Sequence, residues 1–305
     1  MLNRRQALQL GISIAAYSAL GLKAEESSAG PLITRPIPSS GEAVPVIGMG
    51  TSRTFDTGDD AQTLTQLSEV MRAFFDGGGT IIDSSPMYGN AESRVGDVLR
   101  QMQPSPEVFA ATKVWTNGEA EGIAQMEESG RRMNVERFDL IAVHNLKDWR
   151  THLDTLKAWK SEGKVRYLGI TTSHGRDHGE LLEIMEKESL DFVQFSYNME
   201  DRAAESRLLP RAADRGIATM INRPYQRGAL FGKARGKELP EIAQELGCAS
   251  WGQFFLKWIM GHPAATCVIP ATSKVHHMQD NMQANFGRLP TSEERDAMLQ
   301  AFASL

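Results

Sequence analysis

The chain has few cysteines and no long basic run. Of its 305 residues only Cys248 and Cys267 are cysteines, and neither belongs to a close pair or to a Cys/His cluster that binds zinc. Nothing in their spacing requires a disulfide between them. The net charge of -5 comes without the basic patch that a nucleic-acid-binding protein needs to neutralise phosphates. The composition therefore argues against a nucleic-acid partner and favours one large domain with a substantial core.

The sequence also lacks the glycine pattern of the common dinucleotide-binding fold. No strand-like segment is followed by G-x-G-x-x-G, and the segment GMGTSR at residues 48–53 ends in an arginine where the last glycine would stand. Any dinucleotide must therefore be bound in another way. After residue 30 there is no Pro/Ser-rich linker, low-complexity tract or shift in charge, so no domain boundary is predicted there.

The first thirty residues resemble a twin-arginine export signal. Arg4 and Arg5 precede a weakly apolar run at residues 10–22, which is followed by small and polar residues. A membrane-spanning helix needs about 20 apolar residues, so no stable membrane anchor is expected. We predict a signal peptide at residues 1–30, export to the periplasm or beyond, and the twin-arginine translocase as a partner during export. The alternative is an ordinary N-terminal segment that contains two arginines.

Downstream, short apolar runs alternate with longer segments of helical periodicity. Eight runs are strand candidates, at residues 46–49, 80–82, 108–111, 140–143, 165–169, 192–195, 217–221 and 266–269. The segments between them place apolar residues at three- and four-residue spacing, as at residues 61–76, 91–102 and 148–162.

Eight such units predict a single α/β domain, a (β/α)8 TIM barrel at residues 31–305. Near the end of the chain, Thr291 and Glu294 have the spacing of a capping box. This pattern predicts an additional C-terminal helix.

Four side chains fall at the C-terminal ends of three consecutive predicted strands. They are Asp83, Tyr88, Lys113 and His144. Barrels of this class carry their active sites at that end, so we expect the four to share one pocket.

A phenol with a pKa near 10 is a poor proton donor unless something stabilises its anion. Lys113 beside Tyr88 would favour the phenolate, Asp83 would hold the lysine, and His144 would donate a hydrogen bond to a substrate carbonyl. The set lacks a nucleophile with its base, a metal-ligand cluster and a phosphate cradle. Carbonyl reduction by an external hydride donor is the reaction that uses all four.

These segments resemble the aldo-keto reductase family, from about residue 46 to residue 281. Residues 79–89, GTIIDSSPMYG, match the family's signature at its second strand. Residues 111–114, ATKV, match its lysine segment, and residues 140–144, LIAVH, match its histidine segment. Three independent matches in the same order make the resemblance specific.

The resemblance implies that Tyr88 gives a proton to the oxygen of a small carbonyl substrate, with Lys113 and Asp83 tuning it and His144 orienting the substrate. It implies hydride from NADPH, with NADH as the alternative. The implied cofactor-binding residues are Gly50, Thr51, Asp83, Thr171, Thr172, Gln194, Asn222, Ser273, Lys274, His277, Asp280 and Asn281.

Within that set, a helix beginning near Ser273 would present free N–H groups to a phosphate, and Lys274 would add a charge. This favours NADPH. Against it, His277 stands where many family members have an arginine, and a neutral imidazole is a weaker partner for a 2′-phosphate.

Two further positions depart from the family pattern. Thr171-Thr172 stands where the family usually has Ser-Asn after the fifth strand. The hydroxyl group is kept, but the side-chain amide of the asparagine is lost. Asn222 stands where an aromatic residue usually stacks on the nicotinamide. Either Tyr225 takes that role or no residue does.

Two alternatives of another class remain open. One is a nicotinamide-binding regulatory or interaction protein of the same fold with little turnover. The other is a metal-dependent barrel hydrolase or isomerase, which needs carboxylates and histidines from several strand ends, whereas Asp83 and His144 alone are insufficient. Separately, His174 and His178 have the helical spacing of two metal ligands. A solvated helix start explains these two histidines better, because no third ligand is evident, and no metal site is predicted.

Overall fold

A short antiparallel hairpin precedes the barrel. In the computed structural model, which describes residues 30–305, strand β1 (Thr34–Pro36) pairs with β2 (Ala43–Pro45). The hairpin was not predicted from the sequence. The predicted export signal lies outside the described residues apart from its last position, residue 30.

Eight parallel strands form the barrel in chain order. They are β3 (Met49–Gly50), β4 (Ile81–Asp83), β5 (Phe109–Val114), β6 (Phe138–His144), β7 (Val165–Thr171), β8 (Phe192–Ser196), β9 (Ala218–Asn222) and β10 (Cys267–Val268). The first and last strands meet through parallel bridges that join Ile47 to Val268 and Gly50 to Ala271. These bridges close the ring, and the predicted (β/α)8 barrel is confirmed.

Helices follow the strands on the outside. They are α1 (Ala61–Asp76), α2 (Ala91–Gln101), α3 (Glu119–Met133), α4 (Trp149–Ser161), α5 (His178–Lys187), α6 (Leu208–Asp214), α7 (Ala229–Ala234), α8 (Glu241–Glu245), α9 (Trp251–Met260), α10 (Val275–Gln283) and α11 (Ser292–Ala303). The additional C-terminal helix α11 is present, and Thr291 and Glu294 cap it reciprocally, as predicted. No helix within residues 30–305 combines the length and the apolar character needed to cross a membrane.

Three aromatic side chains pack together among smaller apolar ones inside the barrel. The rings of Phe109, Tyr167 and Phe192 lie 5.8 to 6.1 Å apart, centroid to centroid. Ile37 and Val44 of the hairpin belong to the same buried cluster. The hairpin therefore closes the N-terminal end of the barrel, which leaves the C-terminal end for chemistry.

Arg35 fastens this hairpin to the end of α9. Its guanidinium donates hydrogen bonds to the carbonyl oxygens of Met260 at 2.6 Å, His262 at 2.7 Å and Pro263 at 3.0 Å. Carbonyls at a helix C-terminus have no partner within the helix and carry partial negative charge. Burial lowers the pKa of Arg35, so the carbonyl contacts must offset the loss of hydration.

We expect Arg35→Met to lower the free energy of unfolding by about 1.5–3 kcal/mol, because partly buried carbonyl oxygens at the end of α9 lose a charged donor. Urea unfolding followed by circular dichroism measures the change. The matched control is Arg137→Met, since Arg137 is exposed, and surface substitutions usually stay within about 0.5 kcal/mol. Equal midpoints for the two variants would contradict this role of Arg35.

Candidate active site

A fully buried ion pair lies at the centre of the site. Lys113 Nζ donates hydrogen bonds to Asp83 Oδ1 at 2.8 Å and Oδ2 at 2.7 Å, and to the Ser84 carbonyl oxygen at 2.7 Å. The strand register places Asp83 opposite Ala111, and Lys113, two residues further on, points to the same side. Burial lowers the pKa of Lys113, but the attraction and hydrogen bonding of Asp83 and Tyr88 together exceed the effect of burial and raise that pKa. The lysine is therefore charged.

Tyr88 lies beside this pair in the loop between β4 and α2. Lys113 Nζ is 5.2 Å from the centroid of the Tyr88 ring. Burial raises the pKa of the Tyr88 phenol, and the attraction of Lys113 only reduces that rise. The sequence predicted that Lys113 would favour the phenolate. The effect is present, but burial exceeds it, and the phenol keeps its proton at neutral pH.

His144 completes the group at the end of β6. Its ring meets the Tyr88 ring edge-on, with centroids 5.6 Å apart. Burial, together with repulsion from Lys113, lowers the pKa of His144 to about 2, so the imidazole is neutral. Its Nδ1 lies 2.8 Å from Ser85 Oγ, which accepts a hydrogen bond from the Met87 N–H at 3.3 Å. In the tautomer that carries its proton on Nε2, His144 accepts at Nδ1 the hydrogen bond that the Ser85 hydroxyl donates, and its Nε2–H is left for a ligand.

The loop that follows β3 holds the Tyr88 loop in place. Thr51 Oγ1 lies 3.0 Å from the Asp83 carbonyl oxygen and 2.9 Å from Ser84 Oγ. Gly89 has φ +59°, and a Cβ there would lie 2.1 Å from Asp56 Oδ1. Only glycine allows this approach. The two loops therefore form one packed unit.

One large cavity opens at this end of the barrel, with a volume of about 1160 Å³. It reaches from Tyr88 and His144 to α9 and α10. The predicted cofactor-binding residues that line it are Asp83, Thr171, Gln194, Asn222, His277, Asp280 and Asn281. The others in the set are not among the lining residues; they are Gly50, Thr51, Thr172, Ser273 and Lys274.

Amide side chains form the floor of this cavity. Gln194 Nε2 donates to Asp83 Oδ1 at 3.1 Å, which links the predicted nicotinamide contact to the ion pair. Asn222 Nδ2 donates to the Thr172 carbonyl oxygen at 3.0 Å, and Asn222 Oδ1 accepts from Ser196 Oγ at 2.7 Å. The asparagine is thus held in one orientation. Thr172 Oγ1 is buried without a hydrogen-bond partner among the described residues.

Tyr225 is directed towards α10. Its hydroxyl donates to Asn281 Oδ1 at 2.6 Å, and its ring packs on Phe231 with centroids 4.9 Å apart. Burial raises the pKa of Tyr225 well above its usual value. These contacts tie Tyr225 to the helix of the predicted adenosine contacts and argue against the stacking role considered for it.

The α10 end of the cavity differs in detail from the prediction. The helix begins at Val275, later than the predicted start near Ser273, whose carbonyl oxygen accepts a hydrogen bond from Gln66 Nε2 at 2.7 Å. Burial and then repulsion from His276 lower the pKa of His277. At neutral pH the imidazole of His277 is therefore uncharged, as the sequence analysis assumed.

Both carboxylate oxygens of Asp280 accept hydrogen bonds from residues at the start of α9. Its Oδ2 accepts from Ser250 Oγ at 2.6 Å, and its Oδ1 accepts from Gln253 Nε2 at 2.7 Å. A Cβ on Gly252 would lie 2.9 Å from Asp280 Oδ2. The carboxylate thus fixes α10 against α9 at one wall of the cavity.

Sequence reasoning missed four arginines that line the cavity, Arg53, Arg176, Arg223 and Arg227. None forms an ion pair with an acid in the part of the chain that the structure describes. All four lie in loops that follow barrel strands, where barrels carry their sites. That position is the signal that the sequence offered.

The two histidines considered as metal ligands have other roles. His174 Nε2 lies 2.6 Å from Arg223 Nη1, which donates to it, and its Nδ1 lies 2.7 Å from Ser173 Oγ. His178 begins α5. Within residues 30–305 no three His, Cys, Asp or Glu side chains form a group that could hold a metal ion.

Comparison with known proteins identifies the family. The model of the aldo/keto reductase family matches residues 46–298. The chain belongs to the aldo/keto reductase family. The resemblance predicted from three short segments is thereby confirmed, and the four residues of the site lie within the matched part of this aldo/keto reductase.

Two curated relatives span most of the chain. A methylglyoxal reductase of Escherichia coli (strain K12) is 29% identical over 248 residues, which cover 78% of this chain and 84% of the relative. An L-glyceraldehyde 3-phosphate reductase of the same strain is 24% identical over 298 residues, which cover 80% of this chain and 85% of the relative.

Solved structures share the fold of this aldo/keto reductase. An aldo-keto reductase from Klebsiella pneumoniae in complex with NADPH superposes with a TM-score of 0.70 at 24% identity, covering 89% of this chain and 96% of its own. A thermostable aldo-keto reductase in complex with the inhibitor epalrestat gives a TM-score of 0.73 at 23% identity, covering 88% of this chain and 99% of its own. Both confirm the barrel.

Proposed function

We propose that this aldo/keto reductase reduces a small aldehyde or ketone to the alcohol with hydride from NADPH, and that Tyr88 is the general acid. The observation that carries the proposal is the buried Lys113–Asp83 pair beside a protonated phenol and a neutral imidazole. The relatives named as reductases of methylglyoxal and of L-glyceraldehyde 3-phosphate support a small carbonyl compound as substrate.

The residues of the cavity fit a nicotinamide dinucleotide. Gln194 and Asn222 offer amide groups next to the ion pair, where a carboxamide would bind. Arg223 and Arg227 line the cavity, have no acidic partner in the described part of the chain and suit the pyrophosphate. His277 lines the cavity at α10. Bound there, the reduced nicotinamide would supply the hydride.

The protein supplies the proton and the orientation. His144 Nε2–H donates a hydrogen bond to the substrate carbonyl oxygen and polarises the carbonyl. Tyr88 transfers its hydroxyl proton to the same oxygen as hydride reaches the carbonyl carbon, which yields the alcohol. The ammonium of Lys113 stabilises the phenolate that remains, and Asp83 keeps the ammonium in place.

The test is NADPH oxidation followed by absorbance with a panel of carbonyl compounds that includes methylglyoxal and L-glyceraldehyde 3-phosphate. We expect turnover that depends on the carbonyl compound. Tight NADPH binding with no turnover on any member of the panel would instead favour the second candidate, a nicotinamide-binding regulatory or interaction protein. The observation behind that candidate is Asn222, a hydrogen-bonded amide at a position where the family usually has a stacking aromatic ring.

The preference for NADPH is expected to depend on His277. We expect His277→Arg to tighten NADPH binding about tenfold and to leave NADH binding unchanged, because a guanidinium binds a 2′-phosphate in a charge-assisted, bidentate way. Fluorescence titration gives both dissociation constants. His276→Arg is the matched control, since His276 is exposed and does not line the cavity. An equal gain in NADPH affinity in both variants would show a general effect of added positive charge. It would contradict the placement of the 2′-phosphate at His277.

Export also remains a prediction. We propose that the twin-arginine route delivers the protein to the periplasm, on the basis of Arg4 and Arg5 before the apolar run. Cell fractionation of the wild-type chain and of a variant with both arginines changed to lysine tests it. Equal distribution of the two proteins would argue for the ordinary N-terminal segment.

A further inference from the structure

Arg53 is a cavity-lining cation that forms an ion pair with no acid among residues 30–305. It lines the cavity together with Tyr88 and His144 and is exposed there. Acidic side chains of its own loop contact other partners within residues 30–305. Asp56 Oδ1 accepts a hydrogen bond from the Asn90 N–H at 3.0 Å, and Asp59 lies 3.7 Å from Arg94. The charge of Arg53 is therefore available to a ligand.

The fold places Arg53 next to Tyr88. Gly50 of β3 pairs with Asp83 of β4, so the loops that carry Arg53 and Tyr88 leave adjacent strands at the same end. Thr51 bonds to the first residues of the Tyr88 loop, and the close approach of Gly89 to Asp56 fastens the far side. The Arg53 loop is thus held against the Tyr88 loop on both sides of Arg53.

The other three cavity arginines belong to a different group. Their common neighbour is His174, whose pKa is lowered first by burial and then by the positive charges of Arg223, Arg227 and Arg176. They come from the loops after β7 and β9, whereas Arg53 comes from the loop after β3. The two groups can therefore hold different anions.

The backbone at Arg53 is also unusual. Its φ of +66° lies in the left-handed region, which is unfavourable for a non-glycine residue. Strained residues of this kind occur often at ligand sites, where the surrounding structure fixes them. Here the loop is fixed by its contacts with the Tyr88 loop, and the side chain it presents is a free cation.

We propose that Arg53 binds an anionic group, a carboxylate or a phosphate, on the carbonyl substrate and so selects acidic carbonyl compounds over neutral ones. The inference rests on the proposed function, because Tyr88 and His144 locate the carbonyl. A guanidinium is suited to this task since it binds both groups through paired, charge-assisted hydrogen bonds.

The test compares matched substrates at saturating NADPH. The pairs are 4-oxobutanoate with butanal, and glyceraldehyde 3-phosphate with glyceraldehyde. For Arg53→Leu we expect the ratio of kcat/KM, acidic over neutral, to fall at least tenfold in one pair or both, mainly through KM, because the charge-assisted hydrogen bonds to the anionic group are lost. Arg53→Lys, which retains the positive charge, should keep part of the preference for the acidic substrate. Arg137→Leu, at an exposed arginine outside the cavity, is the matched control.

A binding measurement separates this inference from the proposed function. Calorimetry with 4-hydroxybutanoate and the NADP⁺ complex should show binding that Arg53→Leu weakens at least tenfold, even if the wild-type protein shows no turnover. Unchanged ratios in both substrate pairs would overturn the inference and leave carbonyl reduction intact. Weaker NADPH binding by Arg53→Leu with unchanged ratios would likewise overturn it and place Arg53 on the cofactor.

Discussion

Tyr88→Phe is expected to lower kcat for carbonyl reduction about 10²- to 10⁴-fold, the range typical for loss of a positioned general acid. Phenylalanine keeps the ring that packs edge-on against His144 and lies near Lys113. Only the hydroxyl and its proton are removed. NADPH affinity should therefore stay within about threefold, and the loss should appear in kcat.

The pH profile of the wild-type enzyme tests the same assignment. Because the pKa of His144 is lowered to about 2, its imidazole stays neutral from pH 5 to 8 and should add no acidic limb to kcat/KM. The pKa of Tyr88 is raised by burial, so the proton donor should be lost only above its usual pKa near 10. Activity should therefore be flat through neutral pH.

Tyr167→Phe is the matched control for the loss of a hydroxyl. Tyr167 Oη contacts Ser40 Oγ at 2.8 Å and Glu42 Oε2 at 2.5 Å, at the hairpin end of the barrel. That variant should keep its turnover. A Tyr88→Phe enzyme with more than a tenth of the wild-type kcat would mean that another group supplies the proton.

The parts of the fold that the sequence predicted are those set by local patterns. The helix predicted at residues 61–76 is α1 with the same bounds, and the capping box of α11 has both of its hydrogen bonds. The four site residues were found together because the ends of neighbouring parallel strands meet at one edge of the barrel. The spacing of residues along the chain is sufficient to predict such features.

Other features depend on contacts between distant segments. The strand predicted at residues 46–49 is only Met49–Gly50, because its earlier part meets β10 through one isolated bridge, Ile47 to Val268. The hairpin strands contain proline and arginine and show no apolar alternation, so their role in closing the barrel is visible only in three dimensions. The direction of the Tyr88 pKa shift likewise depends on its burial.

Lys113→Met is expected to cost about 3–5 kcal/mol in the free energy of unfolding, besides the loss of activity. The side chains of Lys113 and Asp83 are 0% and 4% exposed. Removing the lysine leaves a buried carboxylate with one remaining side-chain donor, Gln194 Nε2. Uncompensated buried charges are costly because the protein interior solvates them poorly.

The pH dependence of this stabilisation has a definite sign. Asp83 raises the pKa of folded Lys113 above 10.5, the ordinary value. The stabilisation is therefore fully present at neutral pH and is lost only as the pH rises past that value towards the folded pKa. The difference in the free energy of unfolding between the wild-type protein and the Lys113→Met, Asp83→Asn double variant, which has no orphaned carboxylate, should thus be constant from pH 6 to 9.

A double-mutant cycle measured by urea unfolding separates the energetic cost of the unpaired carboxylate from the cost of lost packing. Asp83→Asn in the Lys113→Met background removes the carboxylate, so the double variant should be more stable than Lys113→Met alone. Lys187→Met is the control, because Lys187 Nζ lies 3.6 Å from Glu183 Oε2 and the two side chains are 69% and 72% exposed. A pair open to water should contribute about 1 kcal/mol or less. If Lys113→Met cost no more than Lys187→Met, the buried pair would not be the electrostatic centre of the site, and the proton-donor assignment of Tyr88 would lose its physical basis.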